Sequence, residues 1–114
     1  MLTIVETGIF SRRAQKLLQA DEYDELLFYL ASHPLDGDEI PGTGGIRKVR
    51  FAAHGRGKSG GVRVIYYFYD EENPLYALFL YAKNEQETMT AQQKRELAAM
   101  AAEIKALAKA KRRP

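Results

Sequence analysis

Three β-rich segments follow one another without a helix between them: Ile46–Ala53, Val62–Asp70 and Leu75–Lys83. Their β-branched and aromatic residues alternate as strand residues do, and Glu71-Glu72-Asn73-Pro74 makes a short hairpin connection between the last two. This succession predicts a mainly antiparallel sheet. Helical patterns lie on either side of it. Before it, Phe10, Ala14, Leu17 and Leu18 recur at helical spacing, and Tyr23, Leu26, Leu27, Leu30 and Ala31 form a second apolar stripe that ends at Pro34. Asp21 is the expected N-cap of that second helix, and its early acids suit the helix dipole. After the β segments, Thr90 and Gln93 make a capping box in front of Leu97, Met100, Ala101, Ile104, Leu107 and Ala108, a long amphipathic helix. Leu2–Thr7 reads as a short first strand, and Leu35–Gly45, broken by Pro41, Gly42, Gly44 and Gly45, as a turn-rich connector. The order β-α-α-β-β-β-α predicts an α+β fold. A small, mainly antiparallel sheet carries an N-terminal helical hairpin and a C-terminal helix, with the helices on one face.

At 114 residues the chain is expected to be one domain, 1–114, large enough to bury a core without covalent staples. It contains no Cys, so disulfides, thiol nucleophiles and cysteine metal sites are excluded. His33 and His54 are too few for an ordinary metal site, and no metal or cofactor is expected. The N-terminus lacks the basic and apolar regions of a signal peptide. The longest apolar run, Leu75–Ala82, is far short of the ~20 residues that span a bilayer. A cytoplasmic protein is the expectation.

The net charge of +2 conceals two opposed blocks. Between Leu17 and Ile46 there is no Lys or Arg, whereas Asp21, Glu22, Asp24, Glu25, Asp36, Asp38 and Glu39 are acidic. Between Arg47 and Tyr69 there is no acid, but Arg47, Lys48, Arg50, Arg56, Lys58 and Arg63 surround His54. A surface so concentrated in positive charge suits a polyphosphate ligand, of which nucleic acid is the commonest. Alternation puts Val49 and Phe51 on one strand face and Lys48 and Arg50 on the other. It likewise separates Val62, Val64, Tyr66 and Phe68 from Arg63, Ile65, Tyr67 and Tyr69. If one sheet face carries the helices, the opposite face gathers Arg50, Arg63 and Lys83 into a cationic cleft. The plainer alternative is that these cations are solvated strand residues. Gly57-Lys58-Ser59 is not a Walker A loop, because Ala52 stands where Gly is needed and a strand follows. His54 is either a proton-transfer group or an exposed bystander. The acidic second helix is a solvated face, a docking surface for a basic partner segment, or an edge that repels RNA.

Three pieces carry a family resemblance: Gly42-Thr43-Gly44-Gly45-Ile46-Arg47-Lys48-Val49-Arg50, Gly57-Lys58-Ser59-Gly60-Gly61-Val62-Arg63-Val64-Ile65-Tyr66-Tyr67, and Tyr81-Ala82-Lys83-Asn84-Glu85. Together they resemble the RelE/HigB toxins of bacterial type II toxin–antitoxin modules, most closely the HigB branch. The resemblance implies an mRNA interferase acting in the ribosomal A site and a cognate antitoxin of helix-turn-helix, HigA-like type. In such a reaction the ribose 2′-hydroxyl attacks the neighbouring phosphate and leaves a cyclic phosphate. By this resemblance Arg63 serves the scissile phosphate and Lys83 is an acid or base. Lys58 and His54 complete the catalytic set, while Arg47, Lys48, Arg50 and Arg56 contact RNA phosphates. Two positions depart from the family. Asn84 stands where several members have a second arginine, and Thr88-Met89-Thr90 where several carry a catalytic tyrosine. Tyr81 or His54 is then available for proton transfer. The runner-up implied by the same scaffold is a ParE-like toxin that inhibits DNA gyrase by binding.

Overall fold

The computed structural model describes residues 2–53, 61–86 and 88–111. The elements are β1 (Ile4–Glu6), α1 (Gly8–Leu17), α2 (Ala20–Ser32), β2 (Asp38–Glu39), β3 (Ile46–Phe51), β4 (Val62–Tyr67), β5 (Leu75–Ala82) and α3 (Ala91–Lys111). Among the described residues the strands form a five-stranded sheet in the order β1-β5-β4-β3-β2. β1 runs parallel to β5, and the other neighbours are antiparallel. β4, flanked on both edges, is buried along its whole length.

Helix starts follow from local hydrogen bonding. Thr7 caps α1: its Oγ1 accepts the Phe10 N–H at 3.1 Å and donates to the Leu78 carbonyl at 2.8 Å, tying the helix to β5. For α2 the N-cap is Gln19 rather than the expected Asp21. The Gln19 N–H donates to Glu22 Oε1 at 2.8 Å, while Asp21 lies inside the first turn and accepts the Glu22 N–H at 3.0 Å. The capping box expected before the last helix is present. Gln93 N–H donates to Thr90 Oγ1 at 3.1 Å and Thr90 N–H to Gln93 Oε1 at 2.9 Å.

The helices lie on both faces of the sheet, not on one. Phe10, Ala14, Leu18, Leu26 and Leu30 of the hairpin pack on Val62, Val64, Tyr66, Leu75, Ala77 and Leu80. Leu97 and Ala101 of α3 pack with Ile46, Ile65, Tyr67, Leu78 and Tyr81 on the other side. The reason is the sheet itself: β4 carries Val62, Val64 and Tyr66 on one face and Ile65 and Tyr67 on the other, so both faces need a cover. The β4–β5 register shifts between Ile65 and Tyr66, which is why Ala77 and Leu80, of opposite parity, reach the same face.

The connector after α2 holds a strand that its turn-rich composition hides. β2 pairs with β3 through Asp38↔Lys48 and Glu39↔Arg47, opposite charges across the ladder. Thr43, fully buried, closes the β2–β3 turn: its Oγ1 donates to the Ile40 carbonyl at 2.6 Å and accepts the Ile46 N–H at 3.2 Å. Gly42, Gly44 and Gly45 supply the positive φ angles of 79°, 74° and 111° that this turn requires.

Upstream, the buried Tyr66 hydroxyl accepts the Gly37 N–H at 2.9 Å and donates to the Pro34 carbonyl at 2.8 Å. Removing that hydroxyl leaves two backbone groups without partners. Tyr66→Phe is therefore expected to lower stability by about 1–3 kcal/mol in chemical denaturation. An unchanged midpoint would show that water replaces the hydroxyl.

Candidate functional site

β3 and β4 pair with Arg50 directly opposite Arg63 and Lys48 opposite Ile65. All four residues point away from the helical hairpin, as strand alternation requires. Two like charges face to face are unfavourable unless something anionic lies between them. Lys83 enters from the turn after β5, and Asp38 from the short edge strand. These residues, Asp38, Lys48, Arg50, Arg63 and Lys83, line an open cleft of about 470 Å³.

Arg63 lies at the floor of this cleft. It is only 9% exposed, and its Nη1 is buried without a hydrogen-bond partner among the described residues. A buried guanidinium with an unused donor is an open seat for an oxyanion. Tyr81 stands opposite Arg63 across the β4–β5 ladder; its ring is fully buried and its hydroxyl is likewise unpartnered. Burial pushes the Tyr81 phenol up, and the Arg63 charge pulls it partly back. Tyr81 therefore stays a neutral donor at physiological pH.

The turn that carries Lys83 is held from below. Glu85 Oε1 accepts the Ala82 N–H at 2.9 Å and pairs with Arg13, whose Nε donates to the Leu80 carbonyl at 2.6 Å. The Ala82 N–H and the Arg13 guanidinium hold the Glu85 carboxyl below the usual carboxylate range. The Glu of the Lys83-Asn84-Glu85 stretch is thus a structural clamp. Lys83 itself is exposed at the cleft rim.

The cleft brings together Lys48, Arg50, Arg63 and Lys83 of the sequence-derived set. Arg47 is elsewhere. It lies on the hairpin face opposite Tyr66, and its Nη1 donates to the Gly37 carbonyl at 2.6 Å, so it secures the connector instead of facing the cleft. His54, Arg56 and Lys58 lie outside the described residues. Asp38 is a lining residue that the sequence reading missed, because a two-residue strand leaves no periodic signal. A second hollow of about 300 Å³ adjoins the first, sharing Asp38 and Lys48 and adding Ile40, Pro41, Met89 and Lys94. The larger hollow of about 530 Å³, lined by Leu2, Ala31, Ser32, Pro34 and Glu71, presents no cation among its lining residues. Among the described residues no cluster of His, Asp or Glu is arranged to hold a metal, and no helix is long and apolar enough to cross a membrane.

Residues 4–113 match the family model described as the RelE toxin of the RelE/RelB toxin–antitoxin system. The chain belongs to the RelE toxin family. Solved structures agree with the fold. The free form of an E. coli RelE double arginine-to-alanine mutant superimposes with a TM-score of 0.55 at 14% identity, covering 87% of this chain and 95% of the other. A chain of the intact E. coli RelBE toxin–antitoxin complex matches with a TM-score of 0.53 at 15% identity, over 70% of this chain and 94% of that one. The cationic cleft of this RelE-family toxin is built by β2, β3, β4 and the turn after β5, so most of the sheet contributes to positioning it.

Proposed function

We propose that this RelE-family toxin is a ribosome-dependent endoribonuclease that cleaves translated messenger by attack of a ribose 2′-hydroxyl on the scissile phosphate. The observation that carries this reading is the buried Arg63 guanidinium, whose Nη1 has no partner among the described residues, facing Arg50 in a cleft whose lining also holds Lys48 and Lys83. The extra negative charge of the phosphorane falls on non-bridging oxygens. Donors already fixed in place stabilise that charge without reorganising. Arg63 takes those oxygens, Arg50 and Lys48 hold the flanking backbone, and the departing 5′-oxygen takes a proton from Lys83 at the rim or from water. Lys58 and His54 of the intervening segment complete the set, and Arg56 adds a phosphate contact. The 1–114 chain acts as one toxin domain, in the cytoplasm, and a cognate antitoxin, of the helix-turn-helix HigA-like type, silences it. The RelBE neighbour, an assembled toxin and antitoxin, supports a cognate antitoxin as partner.

The test is primer extension on a reporter messenger after brief induction, with and without blocked translation, alongside a gyrase supercoiling assay. Cuts confined to translated message are expected, with supercoiling unaffected. Growth arrest with intact messenger and inhibited supercoiling would instead establish the gyrase-binding alternative.

A further inference from the structure

We propose that Asp38 is the proton acceptor for the attacking 2′-hydroxyl, an assignment that rests on the interferase reading above. Among the described residues lining the first cleft, Asp38 is the one carboxylate among four cations. Arginine cannot give up its proton in a protein, and a lysine ammonium has no lone pair to offer, so the cations cannot act as the base while charged. Asp38 is exposed, and among the described residues its carboxylate makes no hydrogen bond or ion pair, so both oxygens are available to substrate.

Position strengthens the case. Asp38 and Lys48, paired across the β2–β3 ladder, are the two residues shared by both hollows. The first hollow is suited to the scissile phosphate on Arg63. The second holds Ile40, Pro41 and Met89 as an apolar wall for a base and Lys94 as a cation for the next phosphate; its own carboxylate, Glu39, lines that hollow alone and not the one that holds Arg63. A ribose joins a base to its 3′-phosphate. A nucleotide with its base in one hollow and its 3′-phosphate in the other therefore carries its ribose, and the 2′-hydroxyl, past the shared wall where Asp38 stands. In the reaction the 2′-O–H bond breaks and its proton passes to Asp38 Oδ. The freed electron pair forms the 2′-O–P bond, the P–O5′ bond breaks, and the 5′-oxygen leaves with a proton from Lys83 or water. The product is a 2′,3′-cyclic phosphate and no oxidant or metal is needed.

The experiment is single-turnover cleavage of messenger on programmed ribosomes by wild type, Asp38→Asn and Asp38→Ala, the last with added formate or, as control, chloride. Melting temperature and ribosome binding are measured on each protein. Asp38→Asn is expected to cut about 100-fold more slowly or worse, with melting and binding unchanged. Formate, and not chloride, is expected to restore part of the Asp38→Ala rate. Asp38→Asn cutting within about threefold of wild type, or Asp38→Ala indifferent to formate, would overturn the assignment. So would a loss of binding or of melting temperature that accounts for the lost rate. Wild type that leaves the messenger intact would bring down the interferase reading itself, a distinguishable failure.

Discussion

Arg63→Ala is expected to reduce messenger cleavage by about 1,000-fold or more and to abolish growth arrest while the protein remains folded. The separation of the two effects follows from the environment of this side chain. Arg63 is 9% exposed, and its buried Nη1 has no hydrogen-bond partner among the described residues. Removing an unpaired buried charge relieves a desolvation penalty that largely offsets the packing lost with the aliphatic stem. A phosphorane bound in the cleft supplies an acceptor for that donor. Its stabilisation is therefore what the substitution removes. Arg63→Lys keeps the charge but loses the planar fork, and an intermediate rate is expected. Primer extension and a thermal melt on the same preparations check both halves. A fully toxic Arg63→Ala protein would remove Arg63 from the chemistry and the cleft from the mechanism.

The second large effect is on stability. Gly61→Ala is expected to cost about 3 kcal/mol and lower the melting temperature by on the order of 10 °C. A Cβ at position 61 would lie 2.4 Å from the Phe51 carbonyl oxygen and 3.2 Å from Ala52 Cα, both backbone atoms at the end of β3. Backbone there cannot retreat without opening the Phe51↔Val62 pair that begins the β3–β4 ladder. Gly61 also accepts the Lys83 N–H at 3.4 Å, so the same shift moves Arg63, Lys83 and the cleft between them. Cleavage is expected to fall with stability here, unlike at Arg63. Gly44→Ala is the control. No atom lies within 4 Å of that Cβ, so only its positive φ of 74° resists, at about 1 kcal/mol. Equal melting temperatures for Gly61→Ala and wild type would show that the strand ends yield more readily than their pairing implies.

Much of the fold was legible in the chain. Hairpin helices and strands announce themselves because burial selects apolar residues at the period of the element. Phe10, Ala14, Leu26 and Leu30, and Val62, Val64 and Tyr66, are the residues found in one core. Alternation likewise put Lys48, Arg50 and Arg63 on a common face, and the cleft is there. Charge alone was a poorer guide. It grouped Arg47 with the phosphate ligands, although its parity matches Val49 and Phe51, and its guanidinium is engaged by the Gly37 and Leu35 carbonyls.

The rest depends on contacts between distant segments. Apolar residues on both faces of β4 require two covers, but only packing decides that α3 supplies the second. β2 is two exposed residues long, so neither propensity nor periodicity marks it; pairing with Lys48 and Arg47, steered by Thr43 and Tyr66, makes it a strand. That pairing folds the end of the acidic block onto the basic one and sets Asp38 among the cations. Local chemistry along the chain determined the elements and the sign of the cleft. Which carboxylate faces those cations was decided only in three dimensions, because a ladder between strands joins residues that the linear order keeps apart.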